Sequence, residues 1–185
     1  MNKTSVTLVL EGIKYTLFPS GTVAIEDGEP TAWTKINETD RYRLIEAGLM
    51  RAQSPKRIPA DYRLLIYQTL EDHQQADVYA RLYQTLSKGQ KKHVRARVTI
   101  RGTRYRLHDD ASVTINGKDN IPWLLMEGSH RHALVYECIT RAYYKEHPHS
   151  RNAPFLSDEL AGYIENAVKD PDQYKVFEQV CGSFE

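Results

Sequence analysis

Cysteine is scarce in this chain of 185 residues, which contains only Cys138 and Cys181. Small secreted domains that depend on disulfides have dense sets of cysteines, so this pattern indicates two reduced thiols. Long apolar runs are also missing, because no stretch approaches the eighteen or so residues that a membrane helix needs, and the apolar run near the amino terminus is too short for a signal peptide. These absences predict a cytoplasmic protein.

Motifs that fix a reaction are missing as well. The chain has no Gly-x-Ser-x-Gly, no phosphate-binding loop ending in Lys-Ser or Lys-Thr, no Gly-x-Gly-x-x-Gly and no His-Glu-x-x-His. The run His108-Asp109-Asp110 could belong to a metal-dependent nuclease, but it lies at a predicted turn, where aspartate is favoured because it hydrogen-bonds the local backbone. We therefore expect a protein without catalytic activity or a cofactor, and metal-dependent hydrolysis is a third hypothesis.

What the sequence does contain is a repeat with a period of 90 residues. Ten identities fall in the 41 positions from Gly12 to Ala52 when this stretch is aligned without a gap to Gly102 to Ala142. Composition alone gives about one match in fifteen. The matched residues of the first copy are Gly12, Tyr15, Leu17, Val23, Ile25, Trp33, Arg41, Leu44, Arg51 and Ala52. This pattern predicts an internal duplication, with a first unit at residues 1–88 and a second at residues 89–185.

Each unit shows the same succession of predicted elements. Alternating apolar residues around glycine turns predict a three-stranded antiparallel meander, and helical spacing predicts three helices after it. The fold class is therefore α+β, with two tandem pseudo-repeats of βββααα order. Thr39 and Ser129 are the predicted caps of the first helix in each unit, and Ser157 is the predicted start of the helix that follows in the second. Pro55 and Pro59 are expected to end the first helix of the first unit.

The last helices of the two units align at a different spacing. Asp77, Tyr79, Leu82 and Gln84 match Asp172, Tyr174, Phe177 and Gln179 at a distance of 95 positions. The difference from 90 predicts about five additional residues in the second unit, close to residues 147–154.

Positive charge is concentrated in one hairpin, although the whole chain has a net charge of only +1. The segment from Lys91 to His108 has seven Lys or Arg and no acidic residue, whereas the rest of the second half has seven basic and thirteen acidic residues. Residues two apart in a strand share a face, so the cations of this segment are predicted to form one surface. The candidate anion-binding residues are Lys91, Lys92, Arg95, Arg97, Arg101, Arg104, Arg106 and His108.

Guanidinium groups suit phosphate oxygens, and a two-stranded ribbon fits the DNA major groove. The sequence therefore predicts a binding protein that engages nucleic acid or a nucleoprotein complex through this hairpin. The plain alternative is that the arginines pair with acids of the protein itself, such as Asp109, Asp110, Asp119 or the acidic helices of the second half, or are solvated. A different hypothesis is a protein-interaction module or inhibitor, of the kind found among accessory proteins of phages and mobile elements, with no contact to nucleic acid. Self-association is a further expectation, since a unit that packs on its copy could pack on another chain.

Histidine pairs raise the question of a metal. His130 and His132 would converge only where the backbone is not yet helical, because residues two apart on a helix point about 200° away from each other. His147 and His149 flank a proline in a predicted loop. Zinc ligands usually have closer and more regular spacing, so we predict no metal site here.

Overall fold

The computed structural model describes residues 4–52, 61–118, 120–152 and 157–185. It is an α+β protein whose chain divides into two compact units, Met1–Lys92 and His93–Glu185. The sequence repeat placed this division after residue 88. Pro55, Pro59, Asp119 and Pro154, which entered the sequence-based interpretation, lie outside the described residues.

The first unit has an antiparallel sheet followed by helices. Its strands lie in the sheet in the same order as in the sequence, namely β1 (Val6–Leu10), β2 (Ile13–Leu17), β3 (Thr22–Ile25) and β4 (Thr31–Ala32). After one turn of 3-10 helix, the described helices are α1 (Glu38–Ala52), α2 (Tyr62–Glu71) and α3 (Gln75–Leu86).

The second unit has the same succession of sheet and helices. Its strands, again in spatial order, are β5 (Val94–Ile100), β6 (Thr103–His108), β7 (Ser112–Ile115) and β8 (Asn120–Pro122). Its helices are α4 (Gly128–Glu146), α5 (Asp158–Lys169) and α6 (Gln173–Phe184), with a short 3-10 segment at Pro148–Asn152 between the first two.

The predicted three-stranded meander is wrong in the number of strands. A fourth strand pairs with the third in each sheet, through Thr22 with Ala32 in one unit and Ser112 with Pro122 in the other. These added strands have two and three residues. Such segments are too short for a hydrophobic period, which is the signal that identifies a strand in a sequence.

Alternation along the strands sends one face of each sheet into a core. In the first unit Tyr15, Leu17 and Val23 have no exposed surface, and α1 covers them with Leu44 and Ile45. The residues 90 positions later do the same in the second unit, where Leu107, Val113 and Leu134 are also fully buried. Each unit therefore has its own apolar core. Burying one such side chain contributes roughly 1.5–3 kcal/mol to the stability of the unit.

A tryptophan links the sheet to the last helix in both units. In the first unit the Nε1–H of Trp33 donates to Gln75 Oε1 at 2.8 Å, and the indole lies 5.6 Å from the ring of Tyr79. In the second unit the Nε1–H of Trp123 donates to Gln173 Oε1 at 3.2 Å, and the indole lies 5.5 Å from the ring of Phe177.

These contacts correct the predicted spacing of the last helices. Gln75 and Gln173 occupy equivalent places and are 98 positions apart, as are Tyr79 and Phe177. The second unit therefore has eight additional residues, not five, between Ala142 and Gln173 relative to the stretch between Ala52 and Gln75, and its 3-10 segment Pro148–Asn152 lies in this stretch.

The helix caps predicted at Thr39 and Ser129 are wrong. In α1 the side chain of Asn37, not Thr39, accepts the backbone N–H of Asp40 at 2.9 Å. In α4 the cap position belongs to Glu127, and Ser129 lies inside the helix, where its hydroxyl donates to Glu127 at 2.8 Å. Ser157 is confirmed as the cap of α5, because its oxygen accepts the N–H of Leu160.

Candidate nucleic-acid interface

The arginine-rich segment forms a β-hairpin with a two-residue turn. Arg101 and Gly102 occupy this turn with φ of 47° and 82°. Two consecutive positive φ angles define the turn whose twist matches that of paired strands, and glycine adopts the second angle without strain. The turn sets the register, in which Arg97 lies opposite Arg106 and Thr99 lies opposite Arg104.

Arg97, Arg104 and Arg106 share one exposed face of this hairpin. Residues directly opposite each other in an antiparallel pair lie on the same face, and residues two apart on one strand do too. Within the part of the chain that the structure describes, none of the three side chains forms an ion pair or a hydrogen bond. Like charges opposite each other destabilise a sheet, so this face is a concentration of positive charge that an external anion would stabilise.

The first unit has a neutral face at the equivalent place. Thr7 lies opposite Thr16, and their hydroxyl oxygens are 3.3 Å apart. Its one cation on this face, Lys14, is paired with Asp27 at 2.7 Å. Ninety positions later the aspartate is replaced by Gly117, so the position equivalent to Asp27 has no carboxylate to pair with Arg104.

Arg95 does not belong to the cationic face, contrary to the sequence-based prediction. The pairing of β5 with β6 shifts register between Val94 and Ala96, which places Arg95 in a bulge. Its guanidinium group meets two acids of the carboxyl-terminal segment, Glu178 at 2.8 Å and Glu185 at 2.7 Å. Arg95 therefore ties the edge strand to α6, as the alternative of internal pairing expected.

His108 is buried and is not a surface ligand. Its side chain is 7% exposed, and Nε2 lies 2.8 Å from the hydroxyl of Thr114. Thr114 in turn donates to Asn120 on β8. This set of polar side chains continues the row of Arg97 and Arg106 across the sheet, because Arg106 pairs with Thr114 and Thr114 with Asn120.

The remaining predicted residues do not lie on the paired strands β5 and β6. Arg101 is exposed at the turn, at the tip of the hairpin. Lys91 and Lys92 precede β5 in irregular backbone and belong to the first unit. An exposed cation that the sequence analysis did not include is Lys118, which follows the turn between β7 and β8.

The acids close to the hairpin accept hydrogen bonds from backbone N–H groups. Asp109 accepts the backbone N–H of His93 at 3.1 Å, and Asp110 accepts that of Ser112 at the same distance. Aspartate in a turn commonly bonds the local backbone in this way. Both aspartates of His108-Asp109-Asp110 thus bond backbone groups, as expected for a segment at a turn.

The four histidines considered as metal ligands point to different surroundings. His130 Nδ1 lies 2.8 Å from the hydroxyl of Tyr105, and His132 stacks on Tyr136 with ring centres 6.3 Å apart. His147 stacks on Tyr143, and His149 is exposed. Among the described residues, no group of three or more His, Cys, Asp or Glu could hold a metal ion.

Both thiols are buried and protonated at neutral pH. Burial raises the pKa of Cys181 to about 12, and burial also raises the pKa of Cys138. A thiol is a poor nucleophile, because it is the thiolate that attacks. Neither cysteine is therefore a candidate nucleophile.

No protein-family model, curated protein or solved structure is significantly similar to this chain. None of the helices in the described ranges is long and apolar enough to cross a membrane. The surface chemistry of the second unit is thus the feature from which a function can be argued.

Proposed function

We propose that this protein is a non-enzymatic nucleic-acid-binding protein formed by internal duplication. Its second unit holds the phosphate backbone with Arg97, Arg104 and Arg106. The observation that carries the proposal is the common exposed face of these arginines, which have no acidic partner among the described residues. Guanidinium groups in this arrangement offer planar pairs of donors to phosphate oxygens.

The duplication is supported by contacts that recur at equivalent positions. Tyr15 donates its hydroxyl hydrogen to Asp40 at 2.5 Å, and Tyr105 pairs through its hydroxyl with His130 at 2.8 Å, each residue being 90 positions from its counterpart. The tryptophan and glutamine pairs recur in the same way. Such agreement in polar contacts is not required by a hydrophobic pattern alone, so it favours a common origin.

The two faces support a difference in function between the units. A cross-strand pair of threonines in the first unit corresponds to the pair Arg97 and Arg106 in the second. Like charges that lie directly opposite each other reduce the stability of a sheet. A surface of this kind is better explained by an anionic ligand than by the stability of the fold.

The test is a variant of the second unit in which this face is polar but uncharged. Changing Arg97, Arg104 and Arg106 to Thr together should leave the fold intact and abolish most of the binding to a labelled oligonucleotide. Each phosphate contact adds about 0.7 to the slope of log affinity against log salt for a single strand, so the slope should fall by about 2.1. Between 50 and 200 mM salt, this slope corresponds to roughly a 20-fold change in affinity.

A matched control is the double variant Thr7→Ser, Thr16→Ser, which alters the equivalent face of the first unit without changing its charge. It should bind as the wild type does. A triple variant that keeps the wild-type affinity and salt slope would contradict the proposal.

A second candidate is a protein-interaction module, and one observation favours it. Three large apolar side chains of α2 are exposed, namely Leu64 (58%), Leu65 (38%) and Tyr67 (50%). Exposed apolar patches often mark protein interfaces. Binding through such a patch is nearly insensitive to salt, so the salt series that tests the arginine face also separates the two candidates.

We further propose a cytoplasmic location for the protein. It is supported by the two cysteines, which are unpaired and buried. Unpaired thiols are typical of a reducing compartment.

A further inference from the structure

A cavity lies between the tip of the arginine hairpin and the first turns of α4. Its volume is about 370 Å³. Residues of the hairpin and of the helix line it, among them Thr99, Arg101, Ser129, His132, Ala133 and Tyr136. The volume falls at the lower end of the range of small-molecule sites, roughly 300–1,000 Å³.

The first unit has an ion pair at the equivalent positions. Arg43 on α1 donates through Nε to Glu11 at the hairpin turn, at 2.7 Å, and through Nη1 to Asp40 at 3.1 Å. Ninety positions later, Arg43 corresponds to Ala133 and Glu11 to Arg101. The helix has lost its guanidinium group, and the turn has changed from a carboxylate to a cation.

The second unit therefore has a cation at the hairpin turn and no cation at the equivalent helix position. Arg101 is exposed, and within the described ranges it has no ion pair or hydrogen bond. The one acid that lines the cavity, Glu137, is held by Arg141 at 2.7 Å. An anionic ligand would meet Arg101 with little repulsion from that carboxylate.

The side chains that line the cavity indicate which class of ligand would fit it. His132 and Tyr136 are stacked with an interplanar angle of 28° and line the cavity together. Thr99 also lines it and lies opposite Arg104, so the cavity continues the cationic face. Single-stranded nucleic acids are commonly bound by cationic grooves whose aromatic side chains stack on unpaired bases.

We propose that this cavity holds one unpaired nucleotide of a single-stranded nucleic acid, with its phosphate on Arg101 and its base against His132 and Tyr136. The inference rests on the proposed function and specifies its ligand as single-stranded. A duplex keeps its bases stacked and paired, so it could not fill the cavity without paying the cost of base flipping.

The first experiment follows backbone amide resonances of the whole protein during titration with AMP, adenosine and inorganic phosphate. AMP should shift the resonances of residues 99–102 and 129–137 and bind at least tenfold more tightly than either fragment. Inorganic phosphate that binds as tightly as AMP would overturn the assignment to a nucleotide. The absence of AMP-dependent shifts in these residues would overturn it as well.

The second experiment transfers the ion pair of the first unit into the second. The double variant Arg101→Glu, Ala133→Arg should close the cavity, weaken AMP binding at least tenfold and keep the wild-type melting temperature. Its net charge falls by one, so Lys175→Gln on α6 is the matched control and should bind AMP as the wild type does. A double variant with unchanged affinity for AMP would overturn the inference.

Oligonucleotides separate this inference from the function on which it rests. The wild type should prefer a single strand over a duplex of the same length, and the cavity-closing double variant should lose this preference. If the double variant keeps the preference while the Arg97, Arg104 and Arg106 triple variant loses binding, only the cavity assignment fails. If the triple variant keeps its binding, the arginine face itself is refuted.

Discussion

Arg95 and Arg97 are two residues apart in one strand, and the structure predicts opposite consequences for their removal. Arg95 contacts Glu178 and Glu185, with 23% of its side chain exposed. Arg97 has an exposed side chain on the face shared with Arg104 and Arg106. Arg95→Ala should therefore lower stability and leave binding unchanged, whereas Arg97→Ala should weaken binding and leave stability unchanged.

The magnitude for Arg95 follows from its two partly exposed ion pairs. An exposed pair contributes about 0.2–1 kcal/mol, and the loss of the buried part of the side chain adds to this. We expect Arg95→Ala to lower the free energy of unfolding by about 1–2 kcal/mol. For a chain of this length, each kcal/mol corresponds to roughly 2–4 °C in melting temperature, so the expected decrease is about 2–8 °C.

Differential scanning calorimetry measures the first effect, and fluorescence polarisation with a labelled single strand across a salt series measures the second. Arg97→Ala should change the free energy of unfolding by no more than about 0.5 kcal/mol and reduce the salt slope by about 0.7. If Arg95→Ala reduced the salt slope as much as Arg97→Ala and left the melting temperature unchanged, the bulge would not separate the two arginines, and the reasoning would be refuted.

Three further predictions concern stability, each read by denaturant or thermal unfolding. Burial, followed by the hydrogen bond to Asp40, raises the pKa of Tyr15 to about 12. The contribution of Tyr15 to the free energy of unfolding is therefore intact below pH 10 and falls by about 1.4 kcal/mol per pH unit as the pH rises toward 12. Tyr15→Phe should remove this part of the pH dependence, and an unchanged alkaline slope would contradict the prediction. Tyr79→Phe removes a buried hydroxyl that bonds the turn between β2 and β3, at an expected loss of about 1–3 kcal/mol, and a loss below 0.5 kcal/mol would argue against those bonds. Ser157→Ala should cost about 1 kcal/mol because Ser157 caps α5, whereas Ser129→Ala should cost less than 0.5 kcal/mol because Ser129 caps nothing; equal losses would refute the assignment of caps.

Much of the local structure follows from the sequence because its signals are short in range. The alternation of Tyr15, Leu17 and Val23 gives strands with one buried face, and the spacing of Leu44 and Ile45 gives a helix that covers them. The repeat of 90 positions supplies the same elements for the second unit. The glycine turns could also be read directly, since few other residues adopt a positive φ at no cost.

The missed features depend on contacts that no local pattern encodes. The fourth strands are short, although Asn116-Gly117 in the second unit is a strong hairpin signal that could have revealed the fourth strand there. The bulge at Arg95 breaks an alternation that looked regular in sequence. The burial of His108 depends on β7, through Thr114, and a single-strand pattern does not report the neighbouring strand.

Under the proposed duplication, the second unit has gained a charged surface at small structural cost. The core positions repeat because every apolar contact depends on them, whereas the outer face contributes little to stability. In the first unit the outward charges are neutralised within the unit, by Asp27 for Lys14 and by Glu11 for Arg43. In the second unit both acids are replaced, by Gly117 and Arg101, and the cations that remain have no partner of their own among the described residues. Because exposed ion pairs add little to stability, their loss is tolerated. Separate substitutions give the cationic face, where Arg97 and Arg106 replace threonines, and the cavity, where Ala133 replaces an arginine. The two features adjoin, because Thr99 lines the cavity and lies opposite Arg104. A ligand that binds one should therefore bind the other, which is the physical reason for testing them with one oligonucleotide.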